Sequence, residues 1–152
     1  KLKEPAYIGG FFVIVKAMAS LTSIRSGLGT RLETISSLLV YDYVPDSIEP
    51  PCAIVGTLSS LEYDNTFSRG SDTYTIPIQL YVSRVDAEDS QDTLDGYLAG
   101  SGSSSIKFAI EGDTTLGGAV SSARVVEASN YGVYTINSIE YLGVEFEIEV
   151  IT

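Results

Sequence analysis

Two glycines at phosphate-loop spacing, Gly112 and Gly117 in "AIEGDTTLGGAV" (109–120), are the first residues here whose pattern suggests chemistry. A phosphate loop needs Lys and then Ser or Thr directly after the second glycine, to reach the phosphates and the magnesium. Gly118 and Ala119 stand there instead. Asp113 also puts a carboxylate where backbone N–H groups would have to meet an anion. The stretch therefore reads as a helix end, with Gly112 as its left-handed cap and Gly117-Gly118 as a tight turn into a strand.

Carboxylates are the other abundant chemical group. Two of them flanking a sugar would make a glycosidase, but the chain has no tryptophan to line such a cleft. Glu145, Glu147 and Glu149 alternate along one strand, on a face that reads as solvated and would not raise the pKa of a proton donor. Asp86, Asp89, Asp92 and Asp95 imitate a calcium cluster, yet helical spacing turns them around a helix and the glycine and carbonyl ligands of a calcium loop are missing. They read as acidic complements to a helix N-terminus, with Asp86 as N-cap and Asp89 completing a capping box. Histidine is absent, which removes Ser-His-Asp and Cys-His nucleophiles and His-ligated metals. Cys52 leads the apolar run Ala53-Ile54-Val55 and reads as a small buried hydrophobe rather than an activated thiol. Tyr41, Tyr43, Tyr74, Tyr81 and Tyr141 read as sheet residues. Arg69 beside Gly70 reads as a salt-bridge or partner-contact residue. No set of residues assembles an active site, and no cofactor or metal is expected.

The elements that would position these residues follow from periodicity. With 44% hydrophobic and 19% charged residues, 152 residues suit one globular domain. Leu21, Ile24, Leu28, Leu32, Ile35 and Leu38 or Leu39 recur at helical spacing. Gly27 and Gly29 weaken that helix and mark close packing. Strands are expected at "LLVYDYV" (38–44) and "CAIVGTL" (52–58). Residues 59–72 form a long polar loop or a protruding hairpin turning near Asp64-Asn65. In "TYTIPIQLYVS" (73–83), Tyr74, Ile76, Ile78, Leu80 and Val82 share one face, and Pro77 marks an edge position or a bulge. A helix over 86–99, a short one at "SSIKFAIEG", and strands at "AVSSARVVEA" (119–128) and "EYLGVEFEIEVIT" (140–152) complete the chain. The expectation is an α+β domain, a mostly antiparallel sheet against two to three helices.

The first nineteen residues, "KLKEPAYIGGFFVIVKAMA", imitate a secretory signal, but Glu4 and Pro5 interrupt the basic end and the apolar run is short. Met18 is read as the domain's start, with residues 1–17 an extension and 18–152 the domain. The net charge of −11 argues against tight DNA binding, which draws on Lys and Arg. Only a local gathering of Arg25, Arg31, Arg69, Arg84 and Arg124 would reverse that.

Taken in order, "YDYVPDSIEPPCAIVG" (41–56), "FSRGSDTYTIPIQLYVSR" (67–84), "QDTLDGYLAGSGSSSIKFAIEGDTTLGGAV" (91–120) and "YLGVEFEIEV" (141–150) resemble the tail terminators of long-tailed, siphovirus-type actinobacteriophages. The resemblance covers most of the chain from Met18. It implies a structural virion protein at the head-proximal end of the tail, assembled in the host cytoplasm. Six copies would form a ring that ends polymerisation of the tail tube and joins it to the head connector, with viral DNA passing through without specific binding. The expected partners are other copies, the major tail tube protein and a head-completion protein, with no membrane. The expected assembly loop comprises Glu62, Tyr63, Asp64, Asn65, Phe67 and Arg69; the expected acidic surface is Glu145, Glu147 and Glu149. Another neck component, such as a head-closure protein, shares these features; a non-viral interaction domain ranks lower and a carboxylate hydrolase lowest.

Overall fold

A computed structural model describes residues 6–8, 11–13, 20–64, 67, 70–83 and 87–152. Two short strands, β1 (Ala6–Ile8) and β2 (Phe11–Val13), pair with each other in a separate two-stranded sheet. Helix α1 (Leu21–Leu32) starts at Ser20, whose hydroxyl accepts from the Ser23 N–H while the Ser23 hydroxyl accepts from Ser20 in return. The helix stops earlier than its apolar spacing predicts. The Thr34 hydroxyl donates to the Arg31 carbonyl, and the "TISS" run lets side chains compete for the backbone. Ile35 and Leu38 still reach the core, from turns.

The strands β3 (Leu39–Tyr41), β4 (Cys52–Val55), β5 (Ser60–Glu62), β6 (Thr73–Ser83), β7 (Ser122–Ile136) and β8 (Ile139–Ile151) form one sheet in the order β3-β4-β6-β8-β7, with β5 also on β6. Only β3–β4 is parallel. Helices α2 (Ala87–Leu98) and α3 (Ile106–Glu111) join α1 on one face. This is the expected α+β class, with a mixed sheet.

The inner face follows the alternation of the sequence. Ile76, Ile78, Leu80 and Val82 of β6 and Val144, Phe146, Ile148 and Val150 of β8 are buried against Ile24 and Leu28 of α1, Leu94 and Tyr97 of α2, and Ile106 and Ile110 of α3. Pro77 is not on an edge: β6 is central. It is tolerated because the β4 and β5 pairings change register here: the Gly56 N–H donates to the Pro77 carbonyl and the Ser59 N–H to the Thr75 carbonyl, both at 2.8 Å, and residues 57–58 bulge between them. The bulge alternative is the one realised.

Both helix glycines mark close packing. A Cβ on Gly27 would lie 2.9 Å from the Leu116 Cβ, and one on Gly29 would lie 3.3 Å from the Asp42 Cβ. β7 runs eight residues past the expected end at Ala128. Asn130 (φ 57°) and Gly132 accompany a register shift between Ser129 and Gly132. Among the described residues, no helix is long and apolar enough to cross a membrane.

Candidate functional site

Chemistry is least available where the glycine spacing first suggested it. Gly112 is not a left-handed cap; its φ is −63°, and the chain reverses instead at Leu116 (φ 50°), Gly117 (φ 74°) and Gly118 (φ 91°). The Asp113 carboxylate accepts from the Thr115 hydroxyl, the Gly117 N–H and the Thr115 N–H at 2.7–3.1 Å. Those bonds hold its pKa below the usual Asp value. The loop's own carboxylate occupies the donors that an external anion would need. Beside it, a groove of about 120 Å³ is lined by Gly100, Lys107, Phe108, Glu111 and Gly112.

Cys52 sits fully buried on the other face of the sheet with Ile54, Tyr81 and Tyr141, and burial pushes its thiol up to about 11. This is the hydrophobe the sequence suggested. Tyr41, Tyr74, Tyr81 and Tyr141 are on strands; Tyr43 lies outside them and is exposed.

Two surfaces remain. The first is the connection of the β5–β6 hairpin. Glu62 ends β5, and Tyr63 and Asp64 follow, with Asp64 at φ 55°. The base is pinned by Asp72: its carboxylate accepts from the Asp64 N–H at 3.0 Å, and its own N–H donates to the Thr152 hydroxyl at 3.1 Å. From this base Tyr63 is 71% exposed and Phe67 110%. Asn65 and Arg69 lie outside the described residues.

The second surface is the outer face of the sheet, opposite the helices. Glu145, Glu147 and Glu149 of β8 project there, half-buried, directly opposite Gln79, Pro77 and Thr75 of β6. Register adds a member that sequence spacing could not supply. Glu127 of β7 stands directly opposite Glu147, and Ser129 opposite Glu145. Arg124 bridges Glu149 at 3.1 Å. The missing signal was pairing: Glu127 is distant in sequence, and only the hairpin brings it alongside. At the other end of this face, Tyr81 and Tyr134 meet edge-to-face at 5.4 Å. They cover Gly143, whose Cβ would lie 2.7 Å from the Tyr81 ring.

The five arginines do not form one described cluster. Arg31 donates to the Ala109 carbonyl in the helix layer, whereas Arg124 is across the sheet from it; Arg69 and Arg84 lie outside the described residues. Of the α2 aspartates, Asp95 accepts from the Tyr131 hydroxyl at 3.1 Å, and Asp86 lies outside the described residues. Among the described residues, no three His, Cys, Asp or Glu side chains converge as metal ligands. A scan against known family models finds no match, and a search of curated proteins finds no relative above significance.

Proposed function

We propose that this chain is a structural protein of a phage tail, a terminator whose copies form a ring, of six by the resemblance, on the head-proximal end of the tube. There it ends tube growth and meets the head connector. The observation that carries the reading is the β5–β6 connection. A hairpin pinned at its base presents aromatic side chains to solvent, and exposed aromatics on a fixed platform suit a contact with another protein. The outer sheet face supports the accompanying view of DNA passage, since clustered carboxylates give phosphates no counterion release to reward binding.

Deleting residues 62–70 tests the reading. The variant should keep its fold by circular dichroism and lose the ability to cap purified tail tubes in electron micrographs. Tubes still capped at normal length by the deletion variant would sink the loop assignment. Attachment of the parent protein to the head or portal, rather than to a tube end, would favour a head-closure role.

A further inference from the structure

β7 is an edge strand whose two halves meet solvent differently. In the first half, the Val125 N–H donates to the Glu111 carboxylate at 3.2 Å, and register shifts at Val125/Glu127 and Ser129/Gly132 break the line of backbone groups. The Tyr134 hydroxyl takes the Asn130 carbonyl at the second shift. These are devices that blunt an edge.

The second half has none of them. Asn137 (φ 52°) and Ser138 (φ 66°) make a two-residue turn with the signs of type I′, so Ile136 and Ile139 form the hydrogen-bonded closing pair. Counting back by twos, Tyr134 and Gly132 also bond to β8, while Val133 and Thr135 aim their N–H and C=O groups away from it. Among the described residues, nothing pairs with those outward groups. Val133 is also 49% exposed. Residues 128–139 themselves carry no charge in a chain of net −11, so no like charges sit in the strand itself.

We infer that two copies of this chain pair antiparallel through the second half of β7, Val133 of each opposite Thr135 of the other. The segment is β-branched, uncharged and free of proline, and it offers donors and acceptors in equal number. Its complement is another strand of the same kind, and a two-fold axis satisfies both copies with one contact. Each copy carries a net charge of −11, and the repulsion between two such chains makes the pairing tighten as salt screens it. An isologous contact cannot repeat head-to-tail around a ring. The inference is thus independent of the terminator reading and describes the protein before assembly.

Sedimentation of the full chain over a wide concentration series, in low and high salt, tests it. Thr135→Pro removes only an outward N–H and keeps the ladder to β8; Val133→Lys places a charge in the contact. A monomer–dimer equilibrium is expected, tighter in high salt and weakened at least about tenfold by each variant. Amide exchange at Val133 and Thr135 should slow as concentration rises. A parent that stays monomeric throughout, or a dimer that both variants retain, overturns the inference. If Thr135→Pro does not fold, Val133→Lys decides.

Discussion

The two faces of the six-stranded sheet are built from the same strands to different ends. On the inner face, the alternate residues from Ile76 to Val82 of β6 and from Val144 to Val150 of β8 are branched aliphatics and one phenylalanine, at 3% exposure or less. On the outer face, the intervening residues are glutamates at one end and tyrosines around Cys52 at the other. The inner face does what burial rewards. The outer face carries Glu127 directly across from Glu147, and like charges directly opposite destabilise a strand pair. The acidic end of that face gains nothing from this pair, and it is the end to which the proposed DNA path is assigned.

The comparison breaks most easily at its strong side. Ile148 is fully buried, and Ile148→Ala should destabilise by about 2–5 kcal/mol in urea unfolding. Glu147→Ala, one residue away on the other face, should change stability by no more than about 0.5 kcal/mol. Similar losses from the two variants would mean that the faces are not distinct.

A smaller effect tests the tyrosine end. A Cβ on Gly143 would lie 2.7 Å from the Tyr81 ring, 2.9 Å from the Tyr134 ring and 2.9 Å from the Leu80 carbonyl oxygen. Gly143→Ala must displace rings or backbone, a strain of about 1–3 kcal/mol, and should alter the near-ultraviolet dichroism of the tyrosines. An unchanged spectrum and stability would show that the rings do not close over this glycine.

The inner face was legible in the sequence because period-two alternation names it directly: the core residues of β6 and β8 are those that alternation selects. What pairing decides was not legible. Glu127 joins the acidic row through a hairpin whose turn, Asn137-Ser138, lacks the Asn-Gly signature of its type. The strand expected to end at Ala128 instead continues to Ile136 through a bulge between Ser129 and Gly132. Gly112 looked like a cap because glycine favours positive φ, but the reversal fell on Leu116, which packs into the space that Gly27 leaves open.

Acid should act at the edge of the sheet. Burial raises the pKa of Glu111, but the Lys107 hydrogen bond and the Val125 N–H outweigh it and hold the value below the ordinary 4.5. A lowered folded pKa contributes stability above 4.5 and loses it as pH falls through the folded value. Glu111→Gln should therefore flatten the acid limb of a stability–pH curve and leave its slope near neutrality unchanged. An acid limb identical to the parent's would place the carboxylate outside the Val125 contact.

The smallest expected effect is the most informative about the outer face. Glu127→Lys turns the like-charge pair with Glu147 into an opposite-charge one, on a face where Glu145 and Glu149 flank the same partner strand position. The gain should be about 0.2–1 kcal/mol in low salt. It should shrink toward zero at about 1 M salt, where the Debye length falls to about 3 Å. The same substitution puts a cation on the proposed DNA-facing surface, so it should strengthen retention of duplex DNA in low salt while stabilising the fold. Stabilisation without any gain in DNA retention would keep the charge geometry and remove the outer face from the DNA path. Destabilisation would mean that Glu127 and Glu147 do not face each other, and the contrast between the two faces would lose its acidic half.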